Sequence, residues 1–264
     1  MKKLKSELLF LKALVALNLS SNMEYRFNFI LQIIFMNINN FMYIIFWWLF
    51  FDKFQNLNGW TMSDMYILFS VVSTGFALAM IFFGNAPRLA NLISMGKLDS
   101  YLLLPRNVFL HILCSRMSLR AVGDLTFGIL ILIVGGIHDF ISIIIWIVSS
   151  IFVAIIFVAF YALWGSLAFW LGKANIVQEQ AGNALLTFSM YPQTIYDNVT
   201  KFLMFSLIPA GFVGTLPVEL MKNFNPSTFL LLAGFSILIA CLSISMFYIG
   251  LRKYESSNIF TFRD

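Results

Sequence analysis

The sequence predicts an all-α membrane protein with six transmembrane helices, and three observations carry that prediction. Of its 264 residues, 60% are hydrophobic, 17% aromatic and only 11% charged, too apolar a composition for a soluble domain to clothe itself in water-compatible surface. The apolar residues gather into runs close to the length of about 20 that a helix needs to cross a bilayer. Lysine and arginine are unevenly shared between the connecting segments, the asymmetry that orients membrane proteins.

The chain begins basic (Lys2, Lys3, Lys5) and turns apolar from Leu8 to Leu19. Lys12 interrupts that run and no small-x-small cleavage site follows, so residues 1–26 read as an amphipathic helix lying in the inner interface rather than as a cleaved leader. Spans are predicted at Phe27 to Phe51, Met65 to Gly84, Val122 to Ile137, Phe140 to Leu171 and Phe229 to Gly250. The stretch from Ala181 to Pro217 is apolar but broken by Pro192, Pro209 and Pro217. It holds either one span with a re-entrant hairpin, leaving 201–217 re-entrant, or a late span preceded by an interfacial helix. A third span beginning at Asn107 and running to Gly136 would reach roughly 45 Å, longer than the hydrocarbon core is thick. Arg116, Arg120 and Asp124 would then share one face at its boundary, either as an ion-pair ladder or with the arginines reaching for phosphates.

With six crossings and the N-terminus inside, Lys12, Arg26, Arg88, Lys97, Arg106, Arg116, Arg120, Lys173, Arg252, Lys253 and Arg263 join the first lysines on the cytoplasmic side. Lys53 and Lys222 fall outside, and Lys201 falls on either side. The expected location is the cell membrane, multi-pass, with both termini cytoplasmic and residues 1–264 forming a single transmembrane domain. The net charge of +5 follows from this orientation, and no nucleic-acid partner is needed to explain it. Cys114 and Cys241 read as small core residues without a disulfide.

Between the second and third spans lies a polar island, Asn85 to Arg106. Leu89, Leu92 and Ile93 recur at the spacing of one helical face, with Arg88, Asn91 and Ser94 elsewhere on the helix. Asn85 can cap its start, Pro87 suits the first turn, and Gly96 can form a left-handed stop. The pattern fits a docking helix or an ordinary interfacial helix. In the first span, Gln32, Asn37, Asn39 and Asn40 place amides within the membrane, where they either line a translocation path at a subunit interface or hydrogen-bond neighbouring helices.

Catalytic chemistry has little to build on. His111 and His138 have no metal-ligand spacing to another His, Cys or carboxylate, and no Gly-x-Ser-x-Gly turn is present. Gly96-Lys97-Leu98 and Gly172-Lys173-Ala174 lack the spacing and the Ser or Thr of a phosphate-binding loop. No catalytic or metal residue is therefore assigned, and any ATP and magnesium are expected in a partner subunit. Ionisable groups deep in the spans look nearly absent, which argues against a proton- or sodium-coupled carrier.

Three segments carry a family resemblance. Gly96-Lys97-Leu98-Asp99-Ser100-Tyr101-Leu102-Leu103-Leu104-Pro105 resembles the Gly-x-Leu-Asp-x-Tyr-Leu-Leu-Arg-Pro signature of a six-span branch of ABC-2-type exporter permeases. Tyr191-Pro192, Tyr196, Ile208-Pro209-Ala210-Gly211-Phe212 and Leu216-Pro217 resemble that branch's broken fifth-span region, and Gly250-Leu251-Arg252-Lys253-Tyr254-Glu255-Ser256 resembles its Gly-Leu-Arg-Arg-Tyr-Glu-Ser ending. Leu104 replaces the family's arginine, and Ser94-Met95 stands where a basic residue often precedes the glycine; Arg106 is the available substitute. The resemblance implies a permease dimer, of identical or different chains, served by two cytoplasmic ABC ATPase subunits. It makes Arg88, Leu89, Asn91, Leu92, Ile93, Lys97 and Asp99 the ATPase-docking coupling helix, and Tyr191, Pro192, Tyr196, Pro209 and Pro217 an outer re-entrant region. The rival functions are an ATP-independent carrier or channel subunit and a lipid-modifying enzyme.

Overall fold

A computed structural model describes residues 9–10, 12–14, 16–18 and 26–254. The described chain is helical throughout, with one isolated bridge, Leu57 to Trp60, in a connecting loop. The long helices are α1 (Arg26–Lys53), α2 (Met62–Phe82), α7 (Phe140–Ser166) and α12 (Pro226–Leu251). With the single turn α8 (Ala168–Leu171) continuing α7, these four are long and apolar enough to cross a membrane. Between α2 and α7 come α3 (Leu89–Ser94), α4 (Asp99–Leu102), α5 (Val108–Cys114) and α6 (Ala121–Val134); after α8 come α9 (Asn175–Ser189), α10 (Asn198–Ser206) and α11 (Leu216–Lys222).

Six full-length spans are not present among the described residues. The longer form of the third span, Asn107 to Gly136, is broken: α6, close to the predicted Val122 to Ile137, has 14 residues, about 21 Å at the α-helical rise and short of the hydrocarbon core. The break at Ser115–Arg120 is stitched to the end of α2. The Ser118 N–H donates to Met80 O at 3.0 Å and the Asn85 N–H to Leu113 O at 3.3 Å. A side chain on Gly84 would collide with the backbone of Arg116 and Ser118. Asn85 accordingly does not cap the following helix. Its Nδ2 donates to Ile112 O at 3.0 Å and Ser115 Oγ at 2.7 Å. The arginine–aspartate ladder is absent for the same reason: Asp124 turns inward on α6 and hydrogen-bonds Asn40, while Arg120 stays exposed.

The prolines produce a bent pair. Helix α10 and the segment Gly211–Lys222, a wide π turn leading into α11, meet at 80°. Pro209 at the break has no N–H and its ring cannot continue a helix; it is buried, as protein-covered irregular backbone at membrane depth must be. Phe212 stacks on Phe235 of α12 at 3.7 Å, fixing the bend against the bundle.

Helix α2 sits at the centre, with 78% of its apolar window buried against 11% for α1 and 22% for α12. Close approach is achieved with small residues, as is usual where lipid supplies no hydrophobic drive between helices. Ser70 Oγ donates to Gly128 O at 2.9 Å across α2 and α6, and Gly123 lets α6 rest on Met36 of α1. Gly182 of α9 lies flat against the Tyr161 ring of α7. Cys114 is buried and Cys241 is exposed, both free, so only the first is the core residue expected.

Candidate functional site

Two regions carry polar chemistry: the 85–106 segment at the basic end of the bundle, and a pocket among α1, α2, α6 and α9.

The 85–106 segment starts with a 3-10 turn, Ala86–Arg88, holding Pro87 in its first turn, and continues as α3. Gly96, at φ +67°, ends it, with the Lys97 N–H returning to Leu92 O at 3.0 Å and the Gly96 N–H to Ile93 O at 3.1 Å, a left-handed helix stop. The apolar face is internal. Leu89 and Ile93 are buried, Leu92 is half-buried, and all three belong to the core packing. Outward lie Arg88, Ser94, Met95, Lys97 and Asp99, with Asn91 half-exposed. Apart from Met95 the exposed side of residues 86–99 is thus polar, with apolar exposure following at Leu102 to Leu104, and as folded Leu89 and Ile93 offer nothing to a partner.

Gln178 of α9 holds the segment in place. It is 1% exposed; its Oε1 accepts from the Ala90 N–H at 3.1 Å, and its Nε2 donates to Ala86 O at 2.7 Å and to Tyr161 O of α7 at 2.8 Å. One side chain therefore ties the first turns of 85–106 to the span α7 and to α9. Nothing in the sequence marks it, because a glutamine in the polar run Asn175 to Gln180 looks like solvated surface.

The signature-like residues have definite contacts. Leu98 is fully buried, and Tyr101 packs its ring on His111 at 5.0 Å with its hydroxyl 3.0 Å from Ser115 Oγ. Half-buried Tyr254, from the C-terminal motif, faces Asp99. Burial first, then the Asp99 carboxylate, pushes its hydroxyl pKa up to about 12. The first and last motifs thus meet in space. Leu103 is 84% exposed and Leu104 is exposed, while Arg106 stacks over Phe10 of the N-terminal segment at 5.0 Å. The described part of that segment is helical and packs on 106–115, with Phe10 also against His111 and Asn18 Nδ2 donating to Ser115 O at 3.4 Å; the rest of 1–25, and Glu255 and Ser256, lie outside the described residues. Arg88, Arg116 and Arg120 form a basic cluster. Partial burial lowers the Arg116 pKa, and the charges of Arg88 and Arg120 lower it further.

The four amides of α1 divide. Asn37 Nδ2 donates to Thr126 Oγ1 at 2.9 Å and Gly123 O at 3.3 Å, and Asn40 Nδ2 to Asp124 Oδ1 at 2.7 Å, so these two join α1 to α6. Gln32 and Asn39 are exposed. Asn39 and Asn40 also line a cavity of about 170 Å³ with Met36, Tyr43, Ser73, Phe76, Asp124, Thr187 and Tyr191. Asp124 is 5% exposed, and its position within an apolar run was the available signal that an ionisable group lies inside the membrane domain.

At the opposite end, Tyr191 packs on Trp47 at 6.0 Å and Tyr196 on Phe188 at 5.7 Å. Pro192 opens a 3-10 turn, and Asn58 Nδ2 donates to Thr194 O at 3.3 Å. Gln178 on α9 meets Ala86, while Thr194 beyond its end meets the α1–α2 loop, so α9 and the turn that follows connect the 85–106 segment to that loop. Pro209 and Pro217 are buried in the bent pair. Among the described residues no group of three His, Cys, Asp or Glu is placed to hold a metal ion.

No curated protein and no solved structure matches the chain. Residues 37–258 match the family described as ABC-2 family transporter protein. That region takes in α1 from Asn37 onward, the 85–106 segment, the bent pair and α12: the chain belongs to the ABC-2 transporter family, as a multi-pass membrane permease component of an ABC transporter.

Proposed function

We propose that this permease is one half of the membrane pathway of an ATP-driven exporter. Two cytoplasmic ABC ATPase subunits hold ATP and magnesium, and a second permease chain completes the path. The observation that carries this reading is the Gln178 clamp, which turns the 85–106 segment into a lever fixed to α7 and α9. A push on its outward face, Arg88, Asn91, Lys97 and Asp99, would be delivered to α7 and α9 rather than dissipated in a loop. The neighbouring Arg116 and Arg120 make this end positive and suit an acidic groove on the ATPase.

The second permease chain packs against α1. Gln32 and Asn39 are exposed there among apolar neighbours such as Phe35, Ile38 and Met42, and amides facing lipid without partners are unfavourable. Rocking of the two halves draws its work from the difference in ATP affinity between conformations.

The test is copurification. Charge reversal at two exposed positions, Arg88→Glu with Lys97→Glu, should remove the ATPase from the purified permease while leaving it inserted. An unchanged ATPase stoichiometry would overturn the docking role. Ile93→Glu is unsuitable for this purpose, since it puts a charge into the core and unfolds the segment whatever binds outside. An ATP-independent carrier is the reading left standing if transport persists in cells lacking every candidate ATPase.

A further inference from the structure

The 170 Å³ cavity lies at about the midpoint of α1 and α2, where Asn40 and Ser73 sit. At about 30 Å³ per liquid water it has room for five or six waters or for a small organic group. Its lining has three features.

The first is an incompletely satisfied carboxylate. Asp124 accepts one hydrogen bond, from Asn40, on Oδ1, and Oδ2 accepts none among the described residues. Arg120, one turn away, makes no ion pair with it. A carboxylate inside a membrane domain is unfavourable unless it is paired, and such groups mark functional sites; Asp124, in the first turn of α6, has only the Asn40 amide, which leaves room for a cationic partner. The second is Ser73, 2% exposed, whose Oγ is buried without a hydrogen-bond partner. The third is the wall: Tyr43, Phe76 and Tyr191 surround the polar groups, and no lysine or arginine lines the cavity. A carboxylate, neutral oxygens and aromatic faces together favour a cation that is also apolar, because ring faces attract ammonium groups and the carboxylate supplies the charge.

We propose that this pocket binds the ammonium group of an amphiphilic organic amine. Asp124 is its counter-ion, Ser73 and Asn39 are hydrogen-bond acceptors, and the three rings form a cage. As a transport site the pocket rests on the permease reading above; as a binding site it stands on these residues alone.

The test uses the full chain, purified in lipid nanodiscs with the subunits that accompany it, and three probes of one shape: phenethylammonium, 2-phenylethanol and phenylacetate. Affinities come from the concentration dependence of thermal stabilisation. Phenethylammonium should bind at least about 10-fold more tightly than the alcohol, the equivalent of about 1.4 kcal/mol, and phenylacetate more weakly than either. Asp124→Asn should erase the preference for the amine. Thr187→Trp, at an exposed lining position with Asp124 intact, should block all three probes. Equal affinity of the wild type for amine and alcohol, a preference that survives Asp124→Asn, or sodium ions competing at equal concentration as strongly as the amine would each overturn the proposal. Copurification of the ATPase with wild type and Asp124→Asn is read separately, so loss of the permease reading is distinguishable from loss of this one.

Discussion

Replacing Gln178 with methionine keeps the length and approximate volume of the side chain and removes its polar atoms. The effects on its three partners differ. Ala90 lies in the first turn of α3, where backbone N–H groups have no intrahelical acceptor, so its N–H becomes a buried orphan at about 1–3 kcal/mol. Ala86 O keeps the Leu89 N–H, and Tyr161 O lies within α7; each loses a second bond at about 0.5–1.5 kcal/mol. The combined loss is about 2–6 kcal/mol, concentrated on residues 86–94 rather than spread over the bundle. Amide hydrogen exchange of the purified protein reads this directly: protection at Ala90 should fall by at least about 30-fold, with α2 and α7 little changed. Gly165→Ala should reach the same end by steric means, since its new carbon would lie 2.5 Å from Gln178 Nε2 and 2.9 Å from Leu89 Cβ. Unchanged protection of 86–94 in Gln178→Met would refute the clamp, and with it the rigid-lever argument.

Three other outcomes follow from the structure. Gly182→Ala places a methyl inside the Tyr161 ring and should destabilise the bundle by about 1–3 kcal/mol, measurable as a lower thermal unfolding midpoint in detergent. Asp64 caps α2 by accepting from the Thr61 N–H at 2.9 Å and also pairs with half-exposed Lys222 at 3.0 Å. Asp64→Ala, which removes the cap and the ion pair together, should therefore cost about 1–2 kcal/mol or more, and Lys222→Met less, because the carboxylate keeps its bonds to Thr61; equal losses in the same melt would show that the ion pair matters more than the cap. Tyr254 has its folded pKa raised to about 12 from 10.0. Its contribution is therefore whole below pH 10 and is lost as pH rises from 10 toward 12. Proteolysis of the C-terminal end should accelerate across that window in wild type and not in Tyr254→Phe.

The long helices were legible because each is set by composition over 20 or more residues, and lipid leaves a backbone few alternatives. The third span was placed within a few residues of α6, and only its longer form, starting at Asn107, fails. Ser115–Arg120 holds two serines and two arginines but no proline or glycine, so the break in the helix comes from Asn85 and Met80, some 30 residues earlier in the chain, competing for its hydrogen bonds. The amphipathic stripe Leu89, Leu92, Ile93 was read correctly as a face, yet periodicity cannot say whether a face meets a partner or the protein's own core.

The sequence by itself determined that this is a helical membrane protein, that its charge is concentrated toward one end, that proline breaks the region after α9, and which family it belongs to. These are properties of composition and short contiguous motifs. Only the tertiary structure decided which residues meet: Gln178 with Ala86 and Ala90, Tyr254 with Asp99, and Asn40 with Asp124, pairs 84 to 155 residues apart. A buried amide or carboxylate has too many polar atoms for its own helix to satisfy, so its partner comes from another, and helix crossing, which brackets no fixed sequence distance, selects that partner.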